Sequence, residues 1–474
     1  MSLPHGFVVA LDRHTRVIDG GQALLGGFPT RLLRLTVRAR PLLTGRTVRV
    51  QDTASALLAE RLLECGMANP VVRSLPACPD PGYTVVVPVR DRPQQLDRLL
   101  GSIGADQRVI VVDDASRRPE EVAAVAARHG AQLVSLRRNL GPAGARNAGL
   151  RLVTTPYVVF ADSDVVLAPD TVPTLLRHFT DPHVAMAVPR ISGLSTAASS
   201  RWIGRYEEVR SSLDLGRHPA AVRPGTPVSW ASTACVVART DALRDGFDEE
   251  LRVGEDVDMC WRLIENGWRL RYEPEVEVAH EHRARLDDWF LRKVVYGTGA
   301  TPLAHRHPQF IAPAVFAPWS TALILALLAQ RRWSVPVAGT VFGFVTVHIA
   351  RKLDGTRHPY RSALHLAANG AVGALSQASA LLTRHWWPLT AFGCSLSGRV
   401  RRAATIAALT DIALEYHRDK ATLDPVRYGI ARRLDDLAYG AGVWLSAIKG
   451  GSAKALLPHV LRASRTISTR RSRP

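Results

Sequence analysis

The order of hydrophobic and polar positions divides the chain into three segments. In residues 1–78, an apolar alternation over Phe7–Asp12 is typical of a strand. Leucines at helical spacing over residues 57–63 follow Asp52 and Thr53, either of which can cap the N-terminus of a helix. Short strands mixed with a short helix predict a small α/β, winged-helix-like domain, which ends at a proline-rich linker.

Residues 82–300 alternate short apolar runs with stretches of helical periodicity. This alternation is typical of βαβ units and predicts a mainly parallel sheet. Because ligands of such sheets bind at the carboxyl ends of the strands, the polar residues that directly follow each apolar run are candidates for a site. The predicted strands are Thr84–Val89, Val109–Val112, Leu133–Leu136 and Tyr157–Phe160, and the predicted helices are Leu96–Ile103, Glu120–Arg128 and Ala143–Leu152.

Residues 310–474 are predicted to be mostly helical and hydrophobic. Ile311–Ala329 carries no charged residue, and a helix of that length spans about 28 Å, close to the thickness of a bilayer core. Trp333–Ala350 is a second uncharged run. The pair predicts a helical hairpin in or on a membrane, with two buried core helices as the alternative. Residues 399–461 have the pattern of amphipathic helices, and Arg462–Pro474 has the composition of a basic tail.

The charge balance narrows the choice of partners. The 474 residues carry a formal net charge of +19, from 61 lysines and arginines against 42 aspartates and glutamates. Such an excess is typical of proteins that bind nucleic acid, an anionic membrane surface or a phosphate-bearing substrate. Only five of the cationic residues are lysines, and residues 1–78 contain no dense basic helix. We therefore expect a membrane surface and a phosphate-bearing substrate as partners, and no nucleic acid.

The spacing of the cysteines and the N-terminal sequence indicate the cellular compartment of the protein. The five cysteines are widely spaced without a Cys-x-x-Cys pair, which argues against a disulfide framework or a structural zinc site. No basic stretch followed by an apolar run opens the sequence, which argues against a signal peptide. We expect the catalytic part on the cytoplasmic side of the cell membrane.

Two acidic residues follow the second predicted strand. Val109–Val112 leads directly into Asp113 and Asp114, and the strand before it ends in the polar loop Val87–Pro93. A carboxylate at the end of a parallel strand can accept hydrogen bonds from a base N–H or from ribose hydroxyls. An aspartate that caps a helix or closes a turn is an equally weighted alternative.

The segment Asn139–Gly149 is rich in glycine and alanine and contains Arg146. Glycine and alanine allow a backbone to approach closely, and a guanidinium is suited to contact a diphosphate. The spacing matches neither the dinucleotide fingerprint nor a P-loop. The alternative is a tightly packed helix start with Arg146 on its exposed face.

The fourth predicted strand, Tyr157–Phe160, leads into two further carboxylates, Asp162 and Asp164. Close carboxylates repel each other, and a divalent cation removes that cost. Hard oxygen ligands suit Mg²⁺ or Mn²⁺, with a substrate diphosphate completing the coordination shell. We predict a metal site here, and a solvated loop is the alternative.

Glu255 and Asp256 begin a predicted helix, where the helix dipole favours acidic residues. The functional interpretation is a general base that faces an acceptor hydroxyl. His280 and His282 follow the alternating strand Val276–Ala279. Either histidine is a candidate metal ligand or phosphate contact, and a hydrogen-bonded structural histidine is the alternative.

Taken in order, these motifs resemble the family 2 glycosyltransferases of GT-A fold. The matching elements are strand–Asp-Asp, Asn-x-Gly with Ala-x-Ala-Arg-Asn-x-Gly, strand–Asp-Ser-Asp, Gly-Glu-Asp-x-Asp and Trp-Arg, over residues 82–300. The resemblance implies a GT-A nucleotide-diphospho-sugar transferase fold, a nucleotide sugar donor, Mg²⁺ or Mn²⁺, and inversion through direct attack by the acceptor hydroxyl. The roles that it implies are nucleotide contacts from Pro88, Asp91, Asp113 and Asp114, metal–diphosphate contacts from Asp162 and Asp164, and a catalytic base at Asp256 in the Glu255–Asp256 pair.

Within that family, the whole chain is similar to the glycosyltransferases of the mycofactocin system. The stretches Leu35–Val50 and Phe247–Trp261 carry the similarity, together with the order of a small domain, a family 2 core and an arginine-rich C-terminal third. The similarity implies that glucose from UDP-glucose is added to a peptide-derived redox cofactor precursor as a β-1,4-linked chain. It makes residues 1–78 the expected recognition domain for the peptide-derived acceptor.

Three alternatives are weaker. A haloacid-dehalogenase-type phosphatase fits Asp162–Val166, but the first lysine of the chain is Lys293 and no Gly-Asp-x-x-x-Asp motif follows it. A family 2 enzyme that acts on a lipid or a cell-wall polysaccharide shares the core motifs. A membrane-tethered binding module would leave three acidic strand ends unexplained.

The Gln-x-x-Arg-Trp motif of processive family 2 synthases is not matched, since Gln330–Trp333 is one residue short.

Overall fold

The computed structural model describes residues 2–461 apart from a few positions, and it separates into two compact units. The units are Met1–Trp289 and Phe290–Pro474. The predicted basic tail and His282 lie outside the described residues. The positions between 2 and 461 that are also outside them are Pro79, Ala105, residues 195–200, residues 282–284 and Thr422.

Residues 2–78 fold into two small antiparallel sheets and one α-helix. The elements are β1 (Val8–Leu11), β2 (Arg16–Ile18), β3 (Ala23–Gly26), β4 (Arg31–Arg34), β5 (Thr47–Arg49), α1 (Thr53–Glu64) and β6 (Ala68–Pro70). Strand β1 lies between β5 and β6, and β3 lies between β2 and β4. Strands and a helix are thus mixed in this segment, as its sequence predicts.

Helix α1 begins where the sequence predicts. The Asp52 carboxylate accepts the backbone N–H of Ser55 at 2.8 Å, and the Ser55 hydroxyl accepts the backbone N–H of Asp52 at 2.9 Å. This reciprocal cap satisfies amides that the first helical turn leaves unpaired. Leu62 of the helix is fully buried in one hydrophobic core with Phe7 and Met67.

The rest of the first unit is built on a nine-stranded sheet. Its strands are β7 (Tyr83–Val89), β8 (Arg108–Asp113), β9 (Gln132–Ser135), β10 (Tyr157–Ala161), β11 (Val165–Val166), β12 (Val184–Gly193), β13 (Ala220–Ala221), β14 (Cys235–Arg239) and β15 (Arg269–His280). The order is β11-β15-β12-β14-β10-β7-β8-β9, with β13 paired to β15. The helices are α2 (Pro93–Ser102), α3 (Pro119–Arg128), α4 (Gly141–Leu150), α5 (Thr171–Leu176), α6 (Trp202–Arg210) and α7 (Glu255–Glu265).

Strand direction is where this sheet differs from the prediction. Strands β9, β8, β7 and β10 run parallel, as expected for βαβ units. Strand β14 runs antiparallel to both β10 and β12, and β11 and β13 run antiparallel to β15. The sheet is therefore mixed rather than mainly parallel, because an apolar run predicts that a strand is buried and does not predict its direction.

Helix α4 packs unusually close to the sheet. A Cβ atom on Gly149 would lie 2.3 Å from Cγ1 of Val86 and 3.1 Å from Cγ2 of Val112. Glycine at this position therefore allows the helix backbone to lie directly against β7 and β8. Arg146 lies one turn earlier on the same helix, so this contact fixes its distance from the carboxyl ends of the strands.

The second unit is mostly helical, as predicted. Its elements, with the first helix crossing the boundary between the units, are α8 (Leu286–Thr298), α9 (Ala300–Arg306), β16 (Val315–Phe316), α10 (Pro318–Ala329), α11 (Ser334–Lys352), α12 (Pro359–Ala380), α13 (Trp387–Leu396), α14 (Gly398–Asp419), α15 (Pro425–Lys449) and β17 (His459–Val460). Strand β16 pairs with β17 in parallel. Among the described residues, α11 alone has the length and apolar composition that a membrane-crossing helix requires.

The prediction of a continuous helix over Ile311–Ala329 is wrong for its first part. Helix α10 starts at Pro318, and Val315–Phe316 forms a strand instead. Proline has no N–H to donate within a helix and is preferred in its first turn, so Pro318 marks the start. The 12 residues of α10 span about 18 Å, which is too short to cross a bilayer core.

Candidate active site

The carboxyl ends of β7, β8 and β10 bring the predicted site residues to one edge of the sheet. The parallel register aligns Pro88 with Val112 and Val89 with Asp113. Strand β10, on the other side of β7, ends immediately before Asp162. Three strands that are far apart in sequence thus deliver their following residues to the same edge, as their apolar runs predict.

Asp113 and Asp114 have different environments. Asp113 is buried at the end of β8, and its carboxylate accepts the backbone N–H of Ser116 at 3.1 Å. The Asp114 carboxylate accepts the backbone N–H of Leu140 at 2.6 Å and that of Gly141 at 2.9 Å. Asp114 therefore holds the start of α4 against the end of β8, which is the structural alternative considered for it, and Asp113 is the better candidate for a nucleotide contact.

Asp91 connects the loops that follow β7 and β8. It adopts a left-handed backbone conformation with φ of +56°. Its N–H donates to the Ser116 hydroxyl at 2.9 Å, and its carboxylate accepts the N–H of Arg117 at 2.7 Å. The predicted nucleotide contacts Pro88, Asp91 and Asp113 thus lie on two adjoining strand ends.

Asp164 lies between an arginine and a histidine. Arg92 donates to one of its carboxylate oxygens, and Nε2 of His280 lies 3.5 Å from the other. The antiparallel pairing of Val165 with His280 places the histidine there. Burial tends to raise the pKa of Asp164, but the charges of His280 and Arg92 outweigh it, so this pKa lies below its ordinary value. Asp164 and His280, both candidate metal ligands, therefore lie next to each other.

Arg146 joins Asp162 to Glu255. The guanidinium donates to Asp162 at 2.6 Å and to Glu255 at 3.0 Å, and it lies over the ring of Phe247 at 5.5 Å from the ring centre. Only 3% of the Arg146 surface is exposed. Burial disfavours the charged guanidinium, but the two carboxylates outweigh this effect and raise the pKa of Arg146.

These contacts give Arg146 a different role from the predicted diphosphate contact. The side chain is neither exposed, as the structural alternative assumed, nor presented to a ligand, because two carboxylates already engage its guanidinium. Its contacts connect the end of β10 with the start of α7. Arg146 therefore fixes the two acidic parts of the site relative to each other.

Asp256 follows Glu255 at the start of α7. The residue before the helix, Gly254, has a φ of +85°, a conformation that glycine adopts without strain. Burial, followed by the negative charge of Glu255, raises the pKa of Asp256 to about 7. A carboxylate with this pKa exchanges protons near neutral pH, which is the property required of a general base.

Two residues of this site were not assigned a role from the sequence. Asn147 donates to the carbonyl of Phe247 at 2.8 Å and accepts the N–H of Phe247 at 2.7 Å, which ties α4 to the loop before α7. The glycine- and alanine-rich motif containing Asn147 was the available signal. Arg92 had no signal beyond its position in the polar loop after β7.

The side chains of Asp164 and His280 provide the types of ligand atom that a divalent cation prefers. Carboxylate oxygens and an imidazole nitrogen are ligands for Mn²⁺, and carboxylates are ligands for Mg²⁺. Among the described residues, no group of three His, Cys, Asp or Glu side chains converges as a complete site. Asp164 and His280 would therefore supply protein ligands, and diphosphate oxygens and water would supply most of the others.

The bridging role of Arg146 predicts the effect of Arg146→Met on stability. Removing the cation leaves Asp162 and Glu255 uncompensated, and we expect a loss of about 3 kcal/mol in local stability. Hydrogen exchange of peptides that cover α4 and α7, without any ligand, measures this loss. Arg244→Met, at an exposed arginine between β14 and α7, is the matched control. Unchanged protection combined with weaker UDP binding would instead support the diphosphate contact.

Comparison with known proteins identifies the family. A model described as glycosyl transferase family 2 matches residues 84–243. Pre-mycofactocin glycosyltransferases of Mycobacterium tuberculosis strains CDC 1551 and H37Rv are each 42% identical to this chain over 477 residues, which covers 97% of this chain and 98% of the relative. The mannosyltransferase PcManGT from Pyrobaculum calidifontis, solved with GDP-Man and Mn²⁺, covers 76% of this chain and 90% of its own at 19% identity and a TM-score of 0.37. The chain belongs to the family 2 glycosyltransferases and is similar over almost its whole length to the pre-mycofactocin glycosyltransferases.

Proposed function

We propose that this glycosyltransferase of the mycofactocin pathway transfers glucose from UDP-glucose to a peptide-derived precursor of the cofactor. Each transfer inverts the anomeric centre, and repeated transfer extends a β-1,4-linked glucan. The observation that carries the proposal is the single sheet edge at which Asp164 and His280 lie together and Arg146 connects Asp162 with the Glu255–Asp256 pair.

The nucleotide would bind along the ends of β7 and β8. The buried carboxylate of Asp113 can accept hydrogen bonds from a base N–H or ribose hydroxyls. Pro88 and Asp91 flank it on the neighbouring strand end. Asp114 contributes indirectly, because its carboxylate holds the start of α4.

Asp164 and His280 would hold the Mg²⁺ or Mn²⁺, whereas the carboxylate of Asp162, the third predicted ligand, is paired with Arg146. When bound, such an ion offsets the charge that develops on the departing nucleoside diphosphate. The protein contributes the fixed positions of these side chains through the pairing of β11 with β15 and through Arg146.

Asp256 would accept the proton of the attacking acceptor hydroxyl. Burial and the charge of Glu255 raise its pKa to about 7, so the carboxylate is ionised in a useful fraction at neutral pH and is still basic. Direct attack by the acceptor oxygen on the anomeric carbon breaks the bond to the diphosphate in the same step. A single displacement of this kind inverts the anomeric centre.

Residues 1–78 are the proposed acceptor-recognition domain. They have their own hydrophobic core. Arg223 donates to the carbonyl oxygens of Glu64 at 2.9 Å and Phe28 at 2.6 Å, and Arg177 donates to the carbonyl of Leu75 at 2.8 Å. These contacts fix the small domain to the sheet domain, which supports a role in presenting an acceptor to the catalytic edge.

The second unit is the proposed membrane-binding part, on the cytoplasmic side of the cell membrane. Large apolar side chains on its helices are exposed, among them Leu325 at 62% and Phe344 at 73%. Residues 290–474 contain 25 lysines and arginines against 7 aspartates and glutamates, a net charge of +18 that leaves +1 for residues 1–289. Apolar surface combined with excess positive charge favours an anionic leaflet.

Mass spectrometry of reaction products tests the function. Incubation of the chain with UDP-glucose and the peptide-derived precursor is expected to give products that are heavier by successive hexose masses. Asp256→Asn should lose transfer by a factor of about 100 or more, because the proton acceptor is removed. A chain without residues 1–78 should still hydrolyse UDP-glucose and fail on the precursor. Hexose addition to a lipid, or full precursor turnover by the shortened chain, would contradict the acceptor assignment.

The pH dependence of transfer tests the base. A carboxylate with a raised pKa is mostly protonated below that pKa and mostly ionised above it, so kcat/KM should increase through about pH 7 and then level off. Glu255→Gln removes a neighbouring negative charge that raises the pKa of Asp256, and the midpoint should therefore move to lower pH. A midpoint that stays in place or moves upward in Glu255→Gln would exclude this electrostatic role.

Vesicle flotation tests the membrane assignment. The chain is expected to float with vesicles that contain phosphatidylglycerol and to float less with phosphatidylcholine alone, because the second unit is cationic. The double substitution Leu325→Glu and Phe344→Glu, at two exposed positions, should reduce flotation on both. Equal recovery of parent and variant, or no flotation of the parent, would remove support for the assignment.

A further inference from the structure

Each carboxylate of the Asp162-Ser163-Asp164 motif is paired with one arginine. Arg146 donates to Asp162, and Arg92 donates to Asp164. The two arginines come from different elements, since Arg146 is on α4 and Arg92 is in the loop between β7 and α2. The acidic motif that was predicted to need a divalent cation is therefore neutralised by the protein itself.

The two arginines differ in how firmly they are held. Arg146 has a side chain that is 4% exposed, contacts two carboxylates and lies over Phe247. The side chain of Arg92 is 35% exposed, and Asp164 is its one ion-pair partner in the part of the chain that the structure describes. A partly exposed side chain loses conformational entropy when it is held in an ion pair, and this loss reduces the net stability of the pair. Arg92 is therefore the more easily displaced of the two arginines.

A divalent cation and Arg92 compete for the same carboxylate. A cation bound to Asp164 would meet a guanidinium of the same charge sign, and each would weaken the binding of the other. His280, on the other side of Asp164, is an imidazole that can act as a ligand in its neutral form. Arg92 is thus the cation whose charge opposes a metal ion at Asp164, although it pairs with the carboxylate oxygen that faces away from His280.

We propose that Arg92 is an exchangeable counter-ion of Asp164, which it neutralises until a divalent cation binds, and that it then moves to the diphosphate of the donor. The inference rests on the proposed nucleotide-sugar site at this edge. Arg92 directly follows Asp91 at the end of β7, so its guanidinium stays at the edge assigned to the nucleotide. A guanidinium also matches phosphate oxygens in geometry, which an ammonium does not do equally well.

The exchange predicts opposite effects of Arg92→Gln on two ligands. Without its competitor, Asp164 should bind Mn²⁺ about tenfold more tightly, as measured by calorimetry or Mn²⁺ electron paramagnetic resonance on the full chain without donor. With Mn²⁺ saturating, the same variant should bind UDP about tenfold more weakly, because a phosphate contact is lost. Binding of uridine, which has no diphosphate, should stay unchanged.

Matched variants separate this effect from a general change in charge. Arg118→Gln removes the same charge from the same sheet edge, where Arg118 is exposed and pairs with Glu121. It should leave both affinities unchanged. Arg92→Lys keeps the charge and should restore the Mn²⁺ affinity of the parent more fully than its UDP affinity.

The outcomes distinguish failure of the exchange from failure of the site. If Asp164→Asn abolishes Mn²⁺ binding and Arg92→Gln does not tighten it, the exchange is wrong and the metal site stands. If Asp164→Asn binds Mn²⁺ as the parent does, the metal assignment and the exchange are both wrong. Weaker Mn²⁺ binding by Arg92→Gln with an unchanged melting temperature would also overturn the exchange, because it would make Arg92 a support rather than a competitor.

Discussion

The buried guanidinium of Arg146 is the contact on which the geometry of this site depends. A charged group that is buried away from water is tolerated only when it is paired with an opposite charge and hydrogen-bonded. Arg146 meets both requirements, because it donates hydrogen bonds to the carboxylates of Asp162 and Glu255. The pairing is possible because Gly149 lets α4 lie directly on the strands. Asn147, on the same helix, holds the loop that leads into α7. One short helix therefore connects the end of β10 with the start of α7.

The strands of the βαβ units and their parallel direction were predictable from the sequence, and the antiparallel strands that complete the sheet were not. The apolar runs that end near Val89, Asp113 and Ala161 correspond to strands within one or two residues, because burial on both faces needs an uninterrupted run. The antiparallel strand β14 and the strand Val315–Phe316 were not apparent. Each of these segments forms a strand because it pairs with a segment that is distant in sequence. The hydrophobicity of a segment does not show which other segment it pairs with.

The same distinction holds for the site. The sequence predicted which carboxylates gather, since Asp113, Asp162 and Asp164 each follow a strand of one sheet. It did not predict which cations they meet, because Arg146 and Glu255 are 109 residues apart and Arg92 and Asp164 are 72 apart. Asp114 shows why sequence alone does not assign such a role. An aspartate at the end of a strand can accept a hydrogen bond from a ligand or from a backbone amide, and here the position of Leu140 makes the backbone amide its partner.

The distribution of charge gives the two units different physical characters. With a net charge of +1, the first unit balances its arginines with carboxylates, and its acidic edge is neutralised internally by Arg92 and Arg146. The net charge of +18 on residues 290–474 is therefore not a property of the catalytic edge. Internal neutralisation has a consequence for an enzyme with an anionic donor. A bare carboxylate pair would repel a diphosphate, whereas carboxylates that are each paired with an arginine present no net negative charge to it.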